Sequence, residues 1–150
     1  MANSTVSSQS KLIVARPIEL SFSLPRAQGT RIYLQLTVRA TSVLLFLTTA
    51  RDGVTSTASL GSFVFALPDR LNPGQSISTP LYEDISSIEF TTRLAKFLAR
   101  KFNKAIYIGN SISFDSTGLG GSVEEELEGF KKVVDVATYH IQNQLDNFKN

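Results

Sequence analysis

The chain alternates apolar and polar residues through its first half and then changes to a three-to-four-residue rhythm, so strands are expected to dominate first and helices later. From Ile18 to Leu24 the order Ile, Glu, Leu, Ser, Phe, Ser, Leu puts the apolar side chains on one face of a half-buried strand. After a turn-like Pro25 to Thr30 segment, Ile32, Leu34, Leu36 and Val38 share a face, with Arg31, Tyr33, Gln35, Thr37 and Arg39 opposite, which predicts an antiparallel pair. Val43 to Thr49 opens with five consecutive apolar residues and predicts a central strand covered on both faces, entered by a hairpin at Ala40 to Ser42. Past an Ala50 to Ser59 loop containing Asp52-Gly53, Leu60 to Leu67 reads as a strand in which Phe63, Phe65 and Leu67 share a face. A loop holding Pro68, Pro73, Gly74 and Pro80 then leads to a short strand near Leu81 to Ile85.

The rhythm changes at Ser86-Ser87-Ile88-Glu89, which reads as a capping box opening a helix over Thr92 to Lys101. There Leu94, Phe97 and Leu98 form an apolar stripe, and Arg93, Lys96 and Arg100 fall on a neighbouring face. Asn103 suits the left-handed residue that closes a helix, and Arg100 and Lys101 suit the negative end of its dipole. Ala105 to Ile112 returns as a strand, and Phe114 to Ser122 is a glycine-rich loop. Val123, Leu127, Phe130, Val134, Ala137, Ile141, Leu145 and Phe148 then mark a long amphipathic helix, although Gly129 costs it about 1 kcal/mol relative to alanine. The expected fold is therefore α+β: one domain over residues 11–150, with a mainly antiparallel sheet of about six strands, a short basic helix and a long C-terminal helix. Residues 1–10, small and polar after Met1, cannot bury enough surface to offset their ordering entropy and are expected to be a disordered tail.

Composition narrows the chemistry. A chain of 150 residues, 42% hydrophobic and 19% charged, fits one ordinary domain. Zero cysteines exclude disulfides, thiolate catalysis and thiolate metal sites, and fit the cytoplasm, or the nucleus as well, as the expected location. No run approaches a signal-peptide core or a membrane span, so no membrane partner is expected. His140 is the single histidine, too few for a multi-histidine zinc site, and a structural or surface role is favoured. Glu83 and Asp84 would point to opposite faces of a strand and cannot work together as acid and base. Gly118 to Ser122 lies between a strand and a helix, but it lacks the P-loop lysine, and Glu124-Glu125-Glu126 would repel a phosphate. No catalytic residue, metal or cofactor is expected.

What remains is charge. The net charge of +2 is small, yet residues 91–104 carry five bases and no acid, whereas residues 122–150 carry six acids against three lysines. Arg93, Lys96, Arg100, Lys101 and Lys104 are the candidate partner-binding residues, for which a solvated helix face, an acidic protein partner and nucleic acid are the competing readings. The RNA-binding kind of aromatic interleaving is not evident, so nucleic acid ranks last.

The wording Thr92-x-Leu94-Ala95-x-x-Leu98-Ala99-Arg100-Lys101-x-Asn103-Lys104, followed by Ile106-Tyr107-Ile108, resembles the proteasome assembly chaperone family, specifically its fourth member. The likeness is specific over about thirty residues and extends more loosely to the Arg31 to Thr49 hairpin, Ser78-Thr79-Pro80-Leu81 and the terminal helix; the tail and the Arg51 to Gly61 loop are not matched. The resemblance implies a non-enzymatic α+β chaperone that pairs with the third-member chaperone, binds the fifth α subunit of the 20S proteasome and guides α-ring assembly. A third-member-type chaperone or another small scaffold is the alternative, with the Arg100-Lys101-x-Asn103-Lys104 helix end favouring the fourth member. An enzyme ranks lower.

Overall fold

The computed structural model describes residues 15–24, 26, 29–51, 58–114 and 122–150. The expected tail, Asp52-Gly53 and most of the glycine-rich loop lie outside the described residues. Six strands form one sheet: β1 (Ile18–Ser23), β2 (Thr30–Val38), β3 (Ser42–Arg51), β4 (Ser62–Pro68), β5 (Ser76–Tyr82) and β6 (Ala105–Ser111). Two helices, α1 (Ile88–Phe102) and α2 (Val123–Lys149), accompany the sheet among the described residues, and the fold is α+β as expected.

The sheet runs in the order β1-β2-β3-β6-β4-β5. Its neighbours are antiparallel except β3 and β6, which are parallel, with Val43 beside Ile106 and Leu45 beside Ile108. Because β5 opposes β4 and β4 opposes β6, β5 and β6 run the same way; α1 is the crossover between them. The Ala40 hairpin is present, closed by Arg39 N–H donating to the Ser42 carbonyl at 2.8 Å.

One sheet face carries both helices. Ile32, Leu36, Val43, Leu45, Val64, Ile106 and Ile108 lose all solvent contact there, against Leu94, Ala95, Leu98 and Ala99 of α1 and Val133, Ala137 and Ile141 of α2. The alanines present little side chain between the α1 backbone and the sheet. β1 adds Ile18, Leu20 and Phe22 to the same side, as its alternation requires.

Four expectations change. β3 is fully buried on one face only: Leu44 and Phe46 are half-buried, because neither α1 nor α2 covers their side. The strand placed at Leu81–Ile85 starts earlier, at Ser76, and Pro80 lies inside it; β5 is an edge strand, where a missing N–H is tolerated, and its register with β4 shifts beside Phe63 and Val64. No capping box forms at α1. Ser87 is the N-cap but makes no side-chain cap bond, because its Oγ accepts from Ser62 N–H at 3.1 Å and lies 2.8 Å from Ser62 Oγ. Ser86 turns instead to Asp84, donating from Oγ at 2.7 Å.

The fourth change concerns the α2 stripe. Val123 and Leu127 are exposed, and the fully buried line is Gly129, Val133, Ala137 and Ile141. Gly129 is part of that line because a Cβ there would sit 2.7 Å from the Phe114 ring. The helix runs unbroken through it, capped by Ser122 Oγ, which accepts from Glu125 N–H at 3.2 Å. Asn103 does close α1 in the left-handed region, at φ 53° and ψ 44°.

Candidate functional site

The five basic residues do not form one free patch. Arg93 is exposed, yet its guanidinium lies 5.1 Å from the centre of the Phe130 ring and ties α1 to α2. Lys96 and Arg100 are exposed, and the Lys96 carbonyl accepts from Ser76 Oγ at 2.9 Å, docking α1 on the β5 edge. Lys101 is exposed, its Nζ 6.0 Å from the Phe97 ring centre. Lys104 lies beyond the helix and donates from Nζ to the Ala40 carbonyl at the hairpin. Arg93 thus belongs to the helix pair and Lys104 to the strand ends, while Lys96, Arg100 and Lys101 are exposed along α1.

The uncovered sheet face is the feature that sequence reading missed. Alternation sends Tyr33, Phe46, Phe63, Phe65 and Tyr107 to the side without helices. Their rings run across the central strands: Phe46 to Phe63 and Phe63 to Tyr107 at 6.3 Å between centres, and Phe65 to Tyr107 at 4.6 Å. Gly109 makes the row possible, since a Cβ at that position would lie 2.6 Å from Phe46 and 2.7 Å from Leu60. Beside the row a groove of about 660 Å³ opens between β1, β2 and β3, where Tyr33, Phe46 and Leu60 meet the polar Glu19, Ser21 and Gln35. Leu67, Ile77 and the exposed Tyr82 extend this apolar surface to the β5 edge. A signal was present: apolar residues occur at both parities in Val43 to Leu47, Phe63 to Leu67 and Ile106 to Ile108, which a strand with one wet face would avoid.

The polar side chains at the groove pair with one another: Gln35 Nε2 donates to Glu19 Oε1 at 3.0 Å and Arg31 Nε donates to Ser21 Oγ at 3.1 Å. Buried Asn110 donates to Thr91 Oγ1 at 3.1 Å and accepts from Ile112 N–H at 3.0 Å, so its role is to join β6 to α1. His140 is half-buried on α2 with Tyr139 at its edge. Among the described residues no cluster of three or more His, Cys, Asp or Glu could hold a metal, and no helix is long and apolar enough to cross a membrane.

No curated protein matches the chain in sequence. A solved structure described as "Crystal Structure of a Novel Chaperone Complex for Yeast 20S Proteasome Assembly" is similar to it in fold, with a TM-score of 0.52 at 15% identity over 91% of this chain and 97% of that one. The family model for Proteasome assembly chaperone 4 matches residues 31–112, more than half of the chain. That span holds β2 to β6 and α1, and with them both the aromatic row and the basic helix: the chain belongs to the proteasome assembly chaperone 4 family.

Proposed function

We propose that this protein is a non-enzymatic assembly chaperone of the 20S proteasome, acting in the cytoplasm, and in the nucleus as well, as a heterodimer with the third-member chaperone. The heterodimer binds the fifth α subunit and promotes α-ring formation. Family membership supports the chaperone role, and the aromatic face carries the pairing. Rings that are half-buried in the single chain gain most from a partner that removes the remaining water, and aromatic residues dominate such contacts. The partner chaperone covers this face, leaving the free cations of α1 on the opposite side for the α subunit.

Coexpression with the third-member chaperone should yield a one-to-one complex by sizing and mass measurement. Phe46→Arg should abolish it while the chain stays folded, because the position is only half-buried. A monodisperse monomer that ignores the third-member chaperone would sink the pairing. The α-subunit contact is read separately, by capture of the fifth α subunit with wild-type and Lys96→Glu/Arg100→Glu heterodimers at low and physiological salt. Slower capture by the variant, with a wild-type rate that falls as salt rises, is expected. Equal capture at both salts would remove these residues from the contact.

A further inference from the structure

We infer that the cleft where α1 and α2 end is a docking site for an acidic peptide segment carrying one bulky apolar side chain. The two helices run the same way. Their starts meet around Ser86, Glu89, Val123 and Glu126, and their ends around Lys101, Phe102, Leu145 and Phe148. At the latter end a cleft of about 1010 Å³ is lined, among the described residues, by four cations, Arg39, Lys101, Lys104 and Lys149, and by no acidic side chain. Its apolar lining comes from Phe102, Leu145 and the exposed Phe148.

Helix ends alone do not account for this charge. Each carries the equivalent of roughly half a negative charge, so two ends offset about one of the four cations. Arg39 and Lys104 are not in helices at all; they come from the β2–β3 hairpin and the approach to β6. Both ion pairs found among the described residues belong to Arg26, at the other end of α2. The nearby Asp146 is held on its own helix by Gln142 Nε2 at 2.9 Å. A cationic rim on an apolar floor is complementary to a carboxylate-rich segment with an apolar anchor.

A long polyanion fits less well. The far end of the same helices carries Glu89, Glu124 and Glu126, which would repel nucleic acid running along the helix layer, whereas a short segment meets the cleft alone. The inference deepens the reading of Lys101 as a partner contact, adds Lys104 and Arg39 to it, and rests on it. Its test needs neither the third-member chaperone nor a proteasome subunit, so the two readings fail separately.

The probe is a fluorescein-labelled peptide, Glu-Asp-Glu-Phe-Glu-Asp, followed by anisotropy on the full chain. It is compared with an Ala-for-Phe version, a lysine version and an oligo-dT of matched charge. The acidic Phe peptide should bind best. Arg39→Glu/Lys101→Glu should weaken it about tenfold or more, and the outer-face pair Lys96→Glu/Arg100→Glu several-fold less, since an exposed charge acts mainly on what touches it. Matched circular dichroism melts establish that both variants are folded. Phe148→Ala should lower affinity for the Phe peptide and leave the Ala peptide unchanged. Equal weakening by the two charge reversals would mean attraction to the whole molecule and overturn the site. Tighter, cleft-dependent binding of oligo-dT would reassign it to nucleic acid, and the absence of acidic-peptide binding would overturn it outright.

Discussion

The two faces of the sheet are built from the same strands and differ in kind. Towards the helices the side chains are aliphatic and fully buried: Leu45, Ile106, Ile108 and Val64 touch only protein. Away from the helices the same strands present Phe46, Tyr107, Phe65 and Phe63, rings stacked on one another and still partly wet. The first face has completed its burial within the chain, and the second retains apolar surface that another surface can remove from water. Stability and association are therefore divided between alternate residues of one strand.

Neighbouring positions offer the most direct way to break that division. Leu45→Ala, which opens a cavity in the core on the helix side of the sheet, should cost about 2–5 kcal/mol of stability in the isolated chain. Phe46→Ala should cost about 1–2 kcal/mol, from partial burial and one ring contact, and should weaken the third-member complex far more than Leu45→Ala does at temperatures where both are folded. Chemical unfolding and pull-down supply the two readings. Equal stability losses would mean that the aromatic face is as closed as the other.

Glycine positions sharpen the same contrast. Gly61 precedes β4 at φ +66°, and a Cβ there would lie 2.0 Å from the Asn110 carbonyl oxygen, a backbone atom that cannot swing away. Gly61→Ala should destabilise by about 3 kcal/mol. At Gly109 the obstructing atoms are the side chains of Phe46 and Leu60, and Leu60 is exposed enough to move. Gly109→Ala should cost about 1 kcal/mol, at the low end for overpacking, and register chiefly as reduced pairing because it lifts the aromatic row. A Gly109→Ala loss as large as that of Gly61→Ala would show that the open face is rigidly packed.

On the covered face α2 provides a comparison along one helix. Ile141→Ala should cost about 2–5 kcal/mol, whereas Leu127→Ala should cost under about 1 kcal/mol because its side chain is already 48% exposed. Melting curves of the two variants suffice. A large loss at Leu127 would restore the α2 stripe expected from the apolar spacing.

That reversal shows what sequence could and could not convey. Period-two alternation in Ile18 to Leu24 and Arg31 to Arg39, and the longer rhythm after Val123, were enough to identify strands, hairpin and helices, because each reflects a local geometry. The wording from Thr92 to Lys104 identified the family that residues 31–112 match. Which apolar residues become buried depends on distant partners: Phe114 settles on Gly129 and moves the α2 contact line towards Val133. The N-cap falls on Ser87 instead of the Ser86 that a capping box with Glu89 requires, and Ser87 Oγ is taken by Ser62 on β4, a neighbour twenty-five positions away in sequence. Apolar residues of both parities fit a strand buried within one chain as well as one buried against a partner, so they do not single out the aromatic face. Sequence proximity groups Lys104 with the helix bases, although its amine turns to the hairpin.

The smallest effect belongs to the segment that leads from β5 into α1. Asp84 is held below the ordinary carboxylate range, first by the Ser86 hydroxyl at 2.7 Å and then by the Ser86 N–H at 2.9 Å. Both donors favour the ionised form, so the folded state binds this proton less readily than the unfolded chain. The associated stability is complete above the unfolded-state pKa, about 3.9, and disappears as pH falls through the lower folded-state value. Ser86→Ala removes the larger donor and leaves the N–H. Its melting temperature should lie slightly below wild type at pH 7, and the gap should close below the ordinary carboxylate range as both proteins protonate Asp84. Because the carboxylate is fully solvent-exposed, the gap at pH 7 should also be the smallest in the series. A gap that persists unchanged into acid would mean that Ser86 supports the α1 entry through its contacts alone and that the charge of Asp84 contributes nothing to it.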